Sequence, residues 1–131
     1  MKSKKQKKQR SNVHTYYPFN DEVCSALSNA LFFLLNLEDF SFDEAQINMD
    51  STSNAEDKWF CKEPELTRGE VRATAKAIQV VLERSSDGLS DYTYMNEEVP
   101  GFISDLEKNL PILRELDTIF QEEVRRLKKI K

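Results

Sequence analysis

The 131-residue sequence holds one histidine, three glycines and two cysteines, and each shortage excludes a kind of chemistry. A Ser-His-Asp or Cys-His site needs a rigidly held imidazole within reach of its nucleophile. His14 stands beside a run of basic and polar residues instead of inside a core element. Zinc is excluded on spacing, because Cys24, Cys61 and His14 show none of the close ligand pairs of a structural zinc site. Gly69, Gly88 and Gly101 each fall at an expected helix end, so no glycine-rich loop is left to cradle a phosphate. No catalytic residue, metal ligand or cofactor is assigned.

Long apolar runs are missing as well. The longest covers residues 30–35, six in all, whereas a membrane span needs about 20. With no apolar signal segment and no N-x-S/T sequon, the two distant cysteines read as reduced thiols, and the expectation is a soluble, cytoplasmic protein. Asn48, Asp50, Thr52, Asn54 and Glu56 alternate oxygen ligands. A calcium loop, however, wants glycine sixth and glutamate twelfth, where this chain has Ser53 and Trp59. The carboxylate pairs Asp21/Glu22, Asp43/Glu44, Glu97/Glu98 and Glu122/Glu123 fit solvated helix faces, since general acid–base work needs a cleft with perturbed acidity.

Apolar residues make up 39% of the chain, enough for one cored domain at this length. Charge is segregated. The opening MKSKKQKKQR carries six basic groups and no acid, and the closing RRLKKIK carries five more. Between them lie eight basic groups and all 23 acids, a formal −15. Residues 1–12 have too little apolar surface to offset the entropy of ordering and read as a disordered tail. That tail suits a solvated appendage, a tether to nucleic acid or the ribosome, or a signal for an anionic membrane. Residues 13–19, with three aromatics and Pro18, are expected to lie across the surface of a domain spanning 13–131.

The patterning predicts an all-α fold, mainly a small bundle of three to four helices. The first helix, over 21–38, opens on an Asn20 or Asp21 cap. Its apolar surface, widened by Phe32, Phe33 and Leu37, places it centrally or against a partner. Residues 39–65 break the rhythm: apolar and polar residues alternate around Phe40–Phe42, Ile47–Met49 and Trp59–Cys61, which fits a short β-hairpin insertion or an aromatic-anchored loop. Thr67-Arg68-Gly69-Glu70 is a capping box that starts a helix over 68–85. A third helical section over 98–130 keeps its apolar spacing across Pro111, as one kinked helix or as two in succession.

The leading functional expectation is a non-enzymatic protein-interaction module, a regulator, adaptor or assembly factor, binding a protein partner or a second copy of itself. Its anchors would be Phe32, Phe33, Trp59 and Phe60, since aromatics dominate interface energetics. The same four residues fit a core equally well. The competing expectation is a nucleic-acid- or ribosome-associated accessory protein. It would be held by Lys4, Lys5, Lys7, Lys8 and Arg10, together with Arg125, Arg126, Lys128 and Lys129.

Overall fold

Three polar side chains start three of the helices. Asn20 accepts the Val23 amide at 2.9 Å, Asn48 accepts the Ser51 amide at 2.9 Å, and Thr67 accepts the Glu70 amide at 3.3 Å. A cap satisfies amides that have no partner within the first turn. The structure, a computed structural model, describes residues 15–16 as backbone and residues 19–63 and 65–129 in full. The basic opening segment, with Lys4, Lys5, Lys7, Lys8 and Arg10, lies outside the described residues, as does His14.

The described chain is mostly helical, with almost no strand. In order it forms β1 (Thr15–Tyr16), α1 (Asp21–Leu35), α2 (Phe42–Ala45), α3 (Met49–Phe60), β2 (Glu65–Leu66) and α4 (Arg68–Ser85). A 3-10 helix (Ser90–Glu97) and α5 (Phe102–Lys128) complete it. β1 and β2 pair antiparallel, with Thr15 opposite Leu66. Among the described residues no helix is long and apolar enough to cross a membrane.

The expected hairpin over 39–65 is corrected by the structure, because α2 and α3 occupy most of that stretch. The α3 sequence MDSTSNAEDKWF buries Thr52, Ala55 and Trp59. These sit at helical spacing, but a threonine and an alanine carry two of the three buried positions, so hydropathy does not reveal the period. The strand pair joins segments some fifty residues apart in sequence, not neighbours within the insertion.

Further along the chain, α5 runs unbroken through Pro111, resolving the choice between one helix and two. It starts at Phe102, later than the predicted 98. Pro100 disfavours helix at the residue before it, and Gly101 takes a left-handed φ of 78° as N-cap. α1 is central, packing against α3, α4 and α5, while α5 also lies along α4. Its buried face includes Leu27, Leu31, Phe33 and Leu34, which explains its wide apolar surface without a partner. Gly69 marks a close approach of α4 to α3: a Cβ there would meet the Ser51 hydroxyl at 2.8 Å.

At the start of α4 the capping box is complete. Glu70, only 4% exposed, accepts the Thr67 amide at 2.8 Å and the Lys58 ammonium at 2.8 Å. One buried carboxylate thus ties α3 to α4 and closes the helix end.

Candidate functional site

Trp59 and Phe60 are adjacent in sequence and about 100° apart around α3. Trp59 points inward with no solvent exposure, while Phe60 is 71% exposed, the most exposed large apolar side chain described. Phe60 lines a groove of about 620 Å³ between α1, the end of α3 and the first half of α5. Ser25, Ser28, Asn29 and Asn109 line it beside Phe60, with Lys62, Glu22, Asp105 and Lys108 among the charged groups around them.

Hydrogen bonds between helices hold this groove in shape. Asn29 Nδ2 donates to Asn109 Oδ1 at 2.9 Å, linking α1 to α5. Ser28 Oγ donates to Glu56 Oε2 at 3.1 Å, linking α1 to α3. At one end Lys62 pairs with Asp21 at 3.0 Å.

Lys62 also closes α3 in an unusual way. Its φ is 62°, with its amide on the Trp59 carbonyl at 3.1 Å and the Glu63 amide on the Lys58 carbonyl at 2.7 Å. This hydrogen-bond pattern normally ends a helix on glycine. A lysine there holds roughly 1 kcal/mol of backbone strain. Gln46, at φ 59°, is the other non-glycine residue in this region among those described. Each lines a cavity, Lys62 the groove at Phe60 and Gln46 a smaller one between α4 and α5.

Glu56, the acceptor for the groove residue Ser28, is titratable. Burial, the largest cause, pushes its carboxyl above the ordinary value of 4.5, the Ser28 hydrogen bond opposes the shift, and the Asp57 charge adds to it. A carboxyl raised on folding contributes its full stability below the unfolded value and loses it as pH rises through the folded one. Glu56→Gln keeps an acceptor for Ser28 and cannot ionise, so it is expected to raise the thermal midpoint at neutral pH. The gain should fade as the pH falls through the raised folded value toward 4.5 and be absent below it. Thermal unfolding of both proteins across that range is the measurement, and a gain that persists unchanged in acid would mean that ionisation is not its source.

The structure divides the expected interface residues. Phe33 and Trp59 belong to the core, Phe33 making an edge contact with Tyr92 at 5.1 Å between ring centroids. Phe32 is half-buried, its ring edge-on to Phe102 at 4.8 Å. Of the four, Phe60 alone presents most of its surface to solvent. Cys24 is buried and Cys61 exposed, and burial pushes the Cys24 thiol above its ordinary value.

The basic end of α5 is likewise split. Arg126 pairs with Glu123 on its own helix, and Arg125 and Lys129 are exposed. Lys128 lines the smaller cavity together with Arg72 and Lys76 of α4, two residues whose spacing places them on the solvent side of an isolated helix. Sequence reasoning also missed Ser28 and Glu56, which meet across 28 positions and carry no local signal. Among the described residues no group of three or more His, Cys, Asp and Glu side chains is placed to hold a metal ion. Comparison with protein-family models, with curated proteins and with solved structures finds no match for this chain.

Proposed function

We propose that this chain is a non-enzymatic, cytoplasmic interaction module that seats a segment of a protein partner in the groove beside Phe60. The observation that carries the reading is the exposed phenyl ring lining a groove of about 620 Å³ whose other lining residues are polar or charged. Interfaces with this anatomy place an aromatic anchor at the centre and satisfied polar groups around it. The strained Lys62 supports the same reading, because glycine would end α3 at lower cost but would remove the ammonium from the groove.

The test uses the full chain and a displayed peptide library. Peptides selected on the wild-type protein are expected to lose tenfold or more in affinity to Phe60→Ala, the scale of an aromatic hot spot. They should keep their affinity for Ile119→Ala, a change at another exposed apolar residue, 46% accessible. Lys62→Gly should weaken binding while making the fold more stable. Equal affinity for wild type and Phe60→Ala would sink the groove as the docking site. Sedimentation over a concentration series shows whether a second copy of the chain is the occupant.

The competing nucleic-acid reading rests mainly on residues 1–10, outside the described part. Of its described residues, Arg126 is paired with Glu123 and Lys128 lines the smaller cavity.

A further inference from the structure

The smaller cavity, of about 210 Å³, lies between α4, the second half of α5 and the turn that follows α2. Three cations line it, Arg72, Lys76 and Lys128, and no carboxylate does. Two amide side chains, Gln79 and Gln121, complete the polar part, and Ala75, Ile47 and Val124 supply apolar wall. In a chain whose acids outnumber its basic groups, 23 to 19, such a grouping is not a consequence of composition.

Among the described residues none of these three cations is in an ion pair. The described ion pairs use Lys58, Lys62, Arg84 and Arg126 as their cations. Arg72 instead donates from Nη2 to the Gln46 carbonyl at 2.8 Å, and Lys76 donates to Gln79 Oε1 at 3.1 Å. Gln121 Nε2 donates to Asp117 Oδ1 at 3.3 Å, and Asp117 is not among the lining residues. The helix dipole accounts for a lysine at the end of α5. It does not account for Arg72 and Lys76, which are beyond the first turn of α4.

The turn at Gln46 adds geometry to charge. Its left-handed backbone, φ 59°, presents the carbonyl that orients the Arg72 guanidinium. One donor of the guanidinium is occupied there, and its remaining N–H groups are the kind that grip two oxygens of an oxyanion in a plane. The lysines add point charge beside it.

We propose that this cavity binds the phosphate group of a small, soluble phosphate monoester. Three cations match a dianion, and the apolar wall at Ile47 and Val124 offers contact to the carbon side of the ester. At roughly 30 Å³ per water, the volume admits one tetrahedral group with its ordered waters. A polyanion fits less well, because the chain between its basic ends carries a formal −15 that would repel a long phosphate backbone.

The full-length protein at low ionic strength is titrated with phenyl phosphate, inorganic phosphate and a single-stranded oligonucleotide, and followed by two-dimensional NMR. Phenyl phosphate is expected to give saturable shifts around Gln46, Arg72–Gln79 and Gln121–Lys128, with weaker binding of inorganic phosphate. Arg72→Gln should weaken the ester about tenfold or more, the scale of one charge-assisted hydrogen-bonded contact. Lys76→Gln, which leaves the Arg72–Gln46 contact intact, should weaken it several-fold, and Lys108→Gln, at the other groove, should leave it unchanged. Spectral dispersion of each variant confirms folding. Absence of saturable shifts at millimolar phosphate would overturn the proposal. So would equal weakening by Lys108→Gln, which would reduce the effect to bulk charge. Oligonucleotide binding insensitive to Arg72→Gln, with no ester binding, would assign anion recognition to the basic ends instead. None of these outcomes depends on what occupies the groove at Phe60.

Discussion

Trp59→Ala is expected to destabilise the fold by about 3–5 kcal/mol, the range for removing a large aromatic from a packed core. Against a typical domain stability of about 5–15 kcal/mol, that leaves the protein marginal or unfolded at room temperature. The indole has no solvent exposure. It stacks on Phe19 at 5.9 Å and 25° and meets Phe120 edge-on at 6.3 Å and 83°. Its Nε1 donates to Thr74 Oγ1 at 3.2 Å. One side chain therefore joins α3 to α4, α5 and the segment entering α1. Most of the loss comes from contacts and cavity, because Thr74 keeps a partner of its own by donating to the Glu70 carbonyl at 2.8 Å. Trp59→Phe isolates the smaller share, since it retains a ring and loses the hydrogen bond, worth about 1 kcal/mol. Phe60→Ala is the internal contrast. Its ring is 71% exposed, and surface changes of this sort stay within about 0.5 kcal/mol. Urea unfolding of the three variants checks the ordering, and a Trp59→Ala midpoint near that of wild type would show that the core does not close around the indole.

The sequence made this contrast invisible while making much of the scaffold readable. α4 was legible because its two ends carry their own chemistry, the Thr67/Glu70 capping box at one end and the polar Ser85-Ser86-Asp87-Gly88 stop at the other. α5 was legible through its seam, since Leu106, Leu113, Leu116 and Phe120 keep helical spacing across the proline. α3 was not, because Thr52 and Ala55 bury as well as leucine does when a neighbouring helix closes over them, and hydropathy does not register such positions. Once α3 is missed, nothing says which of Trp59 and Phe60 faces the core. That choice depends on the phase of a helix, which the alternating pattern around Trp59 and Cys61 obscures. The cavity at Arg72 was hidden for another reason. On α4 alone Arg72 and Lys76 belong to a solvent face, and only the α2 turn and the end of α5, distant in sequence, enclose them. Local order can be read from local residues, whereas both candidate sites are made by contacts between elements far apart in the chain.

Pro111→Ala should have the largest effect in the opposite direction, a stabilisation of roughly 2 kcal/mol. α5 is continuous from Phe102 to Lys128, so residue 111 occupies a helix interior. Proline there has no amide for the Glu107 carbonyl, and its ring crowds that carbonyl, a penalty of about 3 kcal/mol relative to alanine. Restricting the unfolded chain returns roughly 0.4–1 kcal/mol in favour of proline, which sets the net figure. Pro111 is exposed while Leu106 and Leu113 are buried on either side of it, so the change removes no core contact. For a domain of this size the midpoint should rise by roughly 5–10 °C, measured by calorimetry at neutral pH. An unchanged or lower midpoint would mean that the packing of α5 needs the proline's local geometry. The groove supplies a second readout, because Lys108 and Asn109 line it just before the proline and Asn109 holds Asn29 at 2.9 Å. If Pro111→Ala stabilises the fold and weakens peptides that depend on Phe60, the proline is retained for the shape of the groove, at the expense of helix stability. If stability rises and affinity holds, the groove is set by the Asn29–Asn109 and Ser28–Glu56 bonds alone, and α5 tolerates its proline because the apolar seam carries the helix across it.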